Sequence, residues 1–147
     1  DAQESRGLGD VYKRQFLAIA DGSTNVITSP DGVTWTPQTT GAASNFYGLT
    51  YTAGQFIIVG NTGLIITSPD GVTWTSHTSG TSVLLQSIAY SGSLFVVVGQ
   101  VSNVRTSPDL NIWTPRSFSG NGSEQRIIYA ADRFVAVGNF GRIITSP

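Results

Sequence analysis

The sequence predicts an all-β fold built from repeated four-stranded antiparallel sheets. Two observations predict it: a 39-residue repeat, and a short apolar strand that recurs in every copy. The triplet Thr-Ser-Pro begins at Thr28, Thr67, Thr106 and Thr145, and the tryptophans keep the same step. Self-similarity at a fixed period of this length is typical of propellers, solenoids and related arrays. The chain is therefore interpreted as consecutive copies of one supersecondary unit.

Each complete copy is predicted to hold four short strands. In the template copy they span 47–51, 55–59, 64–67 and 72–75, and the segments between them are Thr-Ala-Gly, Gly-Asn-Thr-Gly and Ser-Pro-Asp-Gly. Short apolar runs bounded by Gly, Pro, Asn and Asp are typical of strands joined by tight turns. This order predicts an antiparallel meander in every copy.

The second predicted strand is apolar on both faces. Its copies start at Phe16, Phe56, Phe95 and Phe134, and each continues with three small or aliphatic residues. A strand with one wet face would alternate, so this one is expected to be covered on both sides. Sheets stacked face to face provide that cover, which favours a β-propeller over a β-trefoil. Four Thr-Ser-Pro segments in the 132 residues after Gln15 also disfavour a three-copy trefoil.

The segment Ser-Pro-Asp-Gly is predicted to form a rigid corner before the tryptophan strand. Proline presets φ, aspartate accepts hydrogen bonds from backbone amides, and glycine accepts a positive φ. In the third copy Leu110 replaces the glycine, and Asn111 is expected to take the positive φ with a shifted turn register. The predicted structural residues are Asp31, Asp70 and Asp109, together with Trp35, Trp74 and Trp113 packed between neighbouring sheets.

These corners carry a family resemblance. The segments Ser29-Pro-Asp-Gly-Val-Thr-Trp35 and Ser68-Pro-Asp-Gly-Val-Thr-Trp74 resemble the Asp-box (bacterial neuraminidase) repeats of sialidase-like propellers and the related photosystem assembly factor repeats. The resemblance covers Phe16 to Pro147, and the third copy departs from it. In that family the box is a structural corner, usually away from the ligand face. The resemblance therefore implies a fold and does not imply an activity.

The first fifteen residues differ in composition from the rest. They hold six of the seventeen charged residues, and they resemble translated sequencing-adapter read-through. Residues 1–15 are therefore predicted to be a non-native or disordered segment, followed by a partial propeller at 16–147. Blade pieces are predicted at 16–38, 46–77, 85–116 and 125–147, which makes two complete and two partial blades. Both ends are expected to be cut from a larger propeller.

Composition excludes several classes of function. The net charge of −1 provides no basic stripe for nucleic acid. Apolar runs of about five residues predict no membrane span, which needs roughly 20. Cysteine is absent and His77 is the single histidine, so no catalytic, cofactor or metal site is predicted. The carboxylates outside the corners, Asp21, Glu124 and Asp132, are expected to be solvated. A nearly lysine-free, Ser/Thr/Gly-rich surface favours an extracytoplasmic or secreted location, and the compartment stays open.

Ligand recognition is predicted on the face where links between blades and loops between second and third strands open. These segments vary most among the copies, and variable loops on a repeated scaffold suit recognition. The candidate residues are Asn61, Thr62, His77, Gln100, Asn139 and Phe140. The leading hypothesis is a non-catalytic propeller segment that acts as a binding or assembly scaffold, with the remaining blades and a protein or glycan as partners. The alternative is part of a sialidase-like glycoside hydrolase, or a lectin, with active-site residues in other blades.

Overall fold

The computed structural model describes residues 15–20, 22–116 and 122–146. Residues 1–14 of the predicted N-terminal segment, Asp21 and Pro147 lie outside the described residues. Within those ranges no helix is long and apolar enough to cross a bilayer. Short 3₁₀ turns lie at Asn61–Gly63 and Asn139–Gly141. The fourteen strands are β1 (Phe16–Ile19), β2 (Asn25–Ser29), β3 (Thr36–Thr39), β4 (Phe46–Thr52), β5 (Gln55–Gly60), β6 (Leu64–Ser68), β7 (Thr75–Thr78), β8 (Leu85–Tyr90), β9 (Phe95–Gly99), β10 (Val104–Ser107), β11 (Thr114–Arg116), β12 (Glu124–Ala130), β13 (Arg133–Gly138) and β14 (Ile143–Thr145).

The strands form four antiparallel sheets in which neighbours in sequence are also neighbours in space. The sheets are β1-β2-β3, β4-β5-β6-β7, β8-β9-β10-β11 and β12-β13-β14. Two sheets with four strands and two with three confirm the predicted all-β meander architecture. We call these sheets blades 1 to 4 in chain order. The repeat period sets their common design, because residues 39 positions apart occupy the same place in successive blades.

The second strand of each inner blade is buried on both faces. In β5, Ile57 packs in a cluster shared with blade 3, whereas Ile58 packs in a cluster shared with blade 1. In β9, Val97 faces blade 2 and Val98 faces blade 4. All four side chains are fully buried, with 0% exposure. Two-sided burial therefore comes from blade stacking, as the missing alternation predicted.

The last strand of blade 2 begins later than the sequence predicted. It was expected at 72–75 in the template copy, whereas β7 spans Thr75–Thr78. Asp70 Oδ1 accepts the N–H groups of Val72 at 2.9 Å and Thr73 at 2.7 Å. Because these amides are bonded within the corner, they do not extend the ladder with β6. Trp74 therefore lies just before the strand, and the predicted strand position for the tryptophans was wrong.

The third corner keeps its register despite its different sequence. Asp109 Oδ1 accepts the N–H groups of Asn111 at 2.9 Å and Ile112 at 3.1 Å, as in the other corners. Leu110 itself adopts φ +68°, so the expectation that Asn111 would take the positive φ was wrong. The Leu110 side chain is 3% exposed and packs in the same cluster as Trp113. That burial holds leucine in a conformation which glycine occupies elsewhere.

The corner tryptophans pack toward the preceding blade. Trp113 is 9% exposed and packs with Ile57 and Val59 of blade 2. Trp74 is partly buried against a cluster that includes Val26 of blade 1. Trp35 is 39% exposed, since no sheet of the described residues lies on that side of blade 1. Packing between sheets therefore holds for two of the three tryptophans.

Candidate binding site at the loop face

The antiparallel meander separates two ends of every blade. Turns between first and second strands, and the Asp corners between third and fourth strands, lie at one end, which we call the corner face. Loops between second and third strands, and the links between blades, lie at the other end, which we call the loop face. This separation follows from strand order alone, because successive hairpins alternate ends.

Backbone hydrogen bonds tie each loop on the loop face to the link before its blade. The N–H of Asn61 donates to the carbonyl of Asn45 at 2.8 Å, and that of Gln100 donates to Leu84 at 3.0 Å. In blade 4 the N–H of Asn139 donates to Ser123 at 3.1 Å. These pairs are 39 residues apart, so the loop face is a repeated and internally bonded surface.

The predicted loop residues lie at this face. Thr62 adopts φ +54° and its Oγ1 lies 2.7 Å from the Ser44 hydroxyl, so that loop is bonded to its link. Gln100 and Asn139 are exposed. Phe140 adopts φ +61° with a side chain that is 99% exposed. The structure supplies their position, and their role in binding a ligand stays a prediction.

His77 lies in a strand, although the sequence placed it in a connection. It belongs to β7, and its Nε2 lies 2.9 Å from Thr67 Oγ1 on the neighbouring strand. The same contact recurs in the other blades, where Gln38 Nε2 and Arg116 Nε donate to the equivalent threonines at 3.3 and 2.9 Å. His77 therefore has a repeated structural role. It also lines a surface cleft of about 320 Å³ together with Thr62.

The first strands of blades 2, 3 and 4, which are β4, β8 and β12, line a central concavity of about 670 Å³. Each of these strands has a register shift at the same place, between Phe46 and Gly48 in β4, with equivalent shifts in β8 and β12. β-bulges commonly lie beside functional sites, where they redirect a side chain. The residues lining the concavity are Ile19, Tyr47, Gly48, Leu49, Gln86, Ser87, Gln125 and Arg126.

The bulges place one polar or aromatic side chain from each of blades 2, 3 and 4 at the concavity. Tyr47, Gln86 and Gln125 are the three bulged residues, spaced by 39. Gln125 Nε2 donates to Asn139 Oδ1, which links the concavity to the loop face. Arg126 donates from Nη1 to the Gln125 carbonyl at 2.8 Å. These residues were not among those predicted from the sequence; the available signal was the polar pair near the start of β8 and β12, Gln86-Ser87 and Gln125-Arg126.

Glu124 is buried, so the expectation of a solvated carboxylate was wrong there. It opens β12 at the position that Phe46 and Leu85 occupy in the other blades, and its side chain is 0% exposed. Arg142 Nε lies 3.3 Å from Glu124 Oε1, and this ion pair stands where blade 2 has Phe46 beside Leu64. A buried charge requires such a partner. The pair lies at the start of β12, where Glu124 directly precedes the bulged residue Gln125.

The aspartates of the corner face accept several hydrogen bonds. The N–H groups of Thr34 and Val33 lower the pKa of Asp31 to about 2. The N–H groups of Thr73 and Val72 lower that of Asp70 to about 2 in the same way. In the third corner, bonds from Asn111 and Ile112 lower the pKa of Asp109. Carboxylates used in this way cap turns, and they lie at the end of the blade opposite the concavity.

His, Cys, Asp and Glu side chains do not gather into a metal-binding cluster in the part of the chain that the structure describes. No group of three or more His, Cys, Asp or Glu side chains is close enough there to hold a metal ion. Asp132 is exposed in the turn between β12 and β13. The polar groups that line the concavity include two glutamine amides, the Tyr47 phenol and the Arg126 guanidinium.

Comparison with solved structures places the chain among β-propellers. YCF48 from Cyanidioschyzon merolae superposes with a TM-score of 0.74 at 14% identity, over 89% of this chain and 47% of that one. YCF48 bound to D1 peptide gives 0.66 at 18% identity, over 86% and 45%. Trypanosoma rangeli sialidase gives 0.53 at 14% identity, over 82% and 26%. At these identities the similarity shows the fold.

The chain spans about half the length of the YCF48 structures and about a quarter of the sialidase. No protein-family model matches the sequence, and no curated protein matches it. The predicted β-propeller is thus confirmed through structure, while the Asp-box resemblance rests on the residues quoted for it.

Proposed function

We propose that this propeller acts as a non-catalytic binding scaffold that holds an extended polypeptide in its central concavity. The observation that carries the proposal is the repeated bulge, which sets Tyr47, Gln86 and Gln125 side by side in three adjacent blades. A repeated scaffold with different side chains at one repeated position is suited to recognition. Assembly or retention of another protein is the expected outcome of such binding.

The side chains at the concavity match the groups of an extended backbone. A glutamine amide offers two donors and an acceptor, which complement peptide C=O and N–H groups. Tyrosine adds a rigid contact surface with a polar tip. The concavity opens to solvent along the inner strands, and about 670 Å³ accommodates a peptide segment of several residues. One similar propeller, YCF48, has been solved bound to D1 peptide, which supports a peptide as the first ligand to test.

The test is binding of the labelled full chain to an array of synthetic extended peptides that includes D1 peptide. Peptides that bind are then titrated by calorimetry against the wild type and the double variant Gln86→Ala/Gln125→Ala. Loss of two or more hydrogen bonds should weaken binding about tenfold or more. Gln55→Ala is the matched control, because Gln55 lies at the corner end of β5 and away from the concavity. Equal affinity of the double variant and the wild type would contradict the proposal.

A glycan ligand is the second candidate, carried by Arg126 in the lining and by the sialidase fold similarity. In this alternative the propeller is a lectin, or part of a glycoside hydrolase whose other blades supply the catalytic residues. A glycan array distinguishes the two candidates. Glycan binding that is lost in Arg126→Ala, together with an empty peptide array, would replace the peptide proposal.

A further inference from the structure

Arg105 lies at a position where the other blades carry isoleucine. It belongs to β10, and the residues 39 positions before and after it are Ile66 and Ile144. Ile66 is 1% exposed and packs between blades 1 and 2, and Ile144 packs against the cluster shared by blades 3 and 4. The position is apolar wherever blades stack, so a guanidinium there requires a partner for its charge.

The Arg105 guanidinium has no such partner among the described residues. Its Nε is buried and makes no hydrogen bond there. No carboxylate of that part of the chain lies within ion-pair distance of it, whereas Arg142 pairs with Glu124. On the neighbouring strand, Arg116 Nε donates to the Thr106 hydroxyl at 2.9 Å. A buried charged donor without a partner is costly, and a bound ligand is one of the few explanations for it.

The guanidinium lies at the edge of a surface cleft beside the link between blades 2 and 3. A Cβ on Gly80 would lie 3.2 Å from Arg105 Nη1, and Gly80 is exposed in that link. The loop residues 62–64 and the residues 77–81 line the cleft, which has a volume of about 320 Å³. A cation thus lies next to a wall of the cleft, between two blades that each have four described strands.

Hydrogen bonds hold the link in this position. Asn103 Nδ2, from blade 3, donates to Thr81 Oγ1 at 2.9 Å, and the Thr81 N–H donates to Ser79 Oγ at 3.4 Å. Gly80 lies between these two bonded residues, so its place beside Arg105 is fixed from both sides. Thr78 is exposed and adds a hydroxyl to the same wall. The cleft therefore has a preformed polar edge.

We propose that Arg105 binds a carboxylate at this edge of the cleft. The planar guanidinium presents parallel N–H donors that match the two oxygens of a carboxylate, and the Thr78 hydroxyl adds a further donor. The ligand's negative charge offsets the charge of a side chain that the described residues leave unpaired. This goes beyond the proposed peptide site, because Arg105 is not among the residues that line the central concavity.

The first test follows the Arg105 Nε–H resonance by nuclear magnetic resonance while sodium acetate is titrated into the full chain at constant pH and ionic strength. We expect a saturable shift at Arg105 and no saturable shift at Arg133, which is exposed at the start of β13. Equal changes at both arginines would be a general ion effect and would overturn the proposal.

A glutamate blocked at both ends distinguishes the source of the carboxylate. If it saturates the Arg105 shift as acetate does, the site accepts an acidic side chain of a polypeptide. If acetate alone saturates the shift, the site takes a small free acid. Either result supports a carboxylate site, whereas the absence of saturation by both probes contradicts it.

Arg105→Ile installs the residue that blades 2 and 4 carry at this position. It should weaken acetate binding about tenfold or more, because the paired donors are lost. Without acetate the variant should unfold at a higher urea concentration than the wild type, since it removes a buried unpaired charge. Acetate should raise the midpoint of the wild type alone. A variant that is less stable without acetate would show that the guanidinium is already satisfied, against the proposal.

Gly80→Ala and Gly41→Ala form a matched pair for the position of the anion. The two glycines are 39 residues apart and share φ, +72° and +73°. A Cβ on Gly80 meets Arg105 Nη1, whereas one on Gly41 meets nothing within 4 Å. Gly80→Ala should weaken acetate binding about tenfold, and Gly41→Ala should not change it. Equal affinity of both variants would place the anion elsewhere and overturn the proposal. If Gly80→Ala does not fold, the resonance titration and Arg105→Ile still decide.

Discussion

Position 110 carries leucine where the other corners carry glycine, and its backbone still adopts φ +68°. A left-handed conformation costs a side-chain-bearing residue roughly 1–2 kcal/mol. The Leu110 side chain is almost fully buried beside Trp113, and its carbonyl accepts the indole N–H at 2.9 Å. Burial of leucine is worth about 1.5–3 kcal/mol, which offsets the conformational cost. At this position burial of the leucine side chain compensates for a positive φ that glycine adopts without strain.

Leu110→Gly and Leu110→Ala separate these two contributions. Both variants lose the buried side chain, so each should lower the free energy of unfolding by about 2–5 kcal/mol. Glycine also relieves the positive φ, so Leu110→Gly should be more stable than Leu110→Ala by about 1 kcal/mol. Urea unfolding followed by tryptophan fluorescence measures the difference. A more stable alanine variant would show that the left-handed backbone is not strained.

The corner aspartates make stability depend on acid pH. A folded pKa lowered below the unfolded value gives stability that is present above about pH 4, where the unfolded group is ionised, and that is lost as pH falls through the folded pKa. For Asp70 the folded pKa is about 2, so the loss lies between about pH 4 and pH 2. In Asp70→Asn the slope of unfolding free energy against pH should be smaller in that window. An unchanged slope would count against the hydrogen-bonded carboxylate.

Residue roles could be predicted from sequence where a local motif decides them. The three aspartates follow directly from turn chemistry, because their partners lie two and three residues away. Glu124 could not be predicted in this way, since its burial depends on Arg142, which lies 18 positions further along, between the 3₁₀ turn and β14. Leu110 likewise depends on packing against blade 2. Long-range partners, rather than composition, decide both cases.

At the scale of elements, the loop face depends on close approach between a loop and the following link. A Cβ on Gly63 would lie 1.9 Å from the Thr81 carbonyl oxygen, so the two segments touch through backbone alone. Gly141 is the repeat-equivalent of Gly63 and has the same backbone, with φ +71° against +72°. A Cβ there would meet nothing within 4 Å. Comparing Gly63 with Gly141 therefore separates the cost of a steric clash from the cost of a positive φ, which both positions share.

Gly63→Ala should therefore destabilise the chain more than Gly141→Ala. Both pay the left-handed cost of about 1 kcal/mol, and Gly63→Ala adds a clash of about 1–3 kcal/mol. Thermal or chemical unfolding of both variants checks this order. Equal losses would mean that the link at Thr81 moves freely away from the loop.

Strand boundaries were predictable except where a side chain accepts hydrogen bonds from the backbone N–H groups that would otherwise pair in the sheet. Strands 47–51, 55–59 and 64–67 were placed to within one residue of β4, β5 and β6. The fourth strand was misplaced because Val-Thr-Trp has a strong β propensity, which the hydrogen bonds of Asp70 override. For the inner-strand bulges the sequence holds only a weak signal, the polar pairs Gln86-Ser87 and Gln125-Arg126, and the bulges themselves arise where β4, β8 and β12 converge.

At the scale of the whole molecule, blades 1 and 4 each present an apolar face. On blade 1, Phe16 is 51% exposed, whereas its equivalent Phe56 is 7% exposed. On blade 4, Val137 and Ile143 are 43% and 68% exposed, whereas the equivalent residues in blade 2 are fully buried. These faces are equivalent to the interfaces between stacked blades. Exposed apolar patches of this kind mark association surfaces or aggregation sites.

The chain on its own should self-associate. Sedimentation velocity over a range of concentrations should show a shift toward larger species, driven by these two faces. The double variant Phe16→Glu/Ile143→Glu should reduce it, because it places charge on both faces. Val72→Glu is the control, since Val72 is exposed at a corner rather than on an end face. A chain that sediments as a monomer at every concentration would contradict this prediction.

The fold was predictable from the sequence because the same strand and turn pattern recurs in several copies. Register of the Thr-Ser-Pro segments set the sheet boundaries, and the doubly apolar strand predicted stacking. The candidate site was only half predictable. Its loops follow from topology, whereas the bulged residues Tyr47, Gln86 and Gln125 reach the concavity through the convergence of three blades.

The sheet order also has a kinetic consequence. Every hydrogen-bonded strand pair joins strands that are consecutive in the chain. Short loops must then be closed before contacts form, and such local topology gives faster folding than the long-range pairings of Greek-key sandwiches. Because the strongest contacts between blades in the described residues join neighbours in the chain, folding can start in any blade and spread in either direction. Blades 2 and 3, which are covered on both faces, are where we expect the most slowly exchanging amides and the last structure to be lost on unfolding.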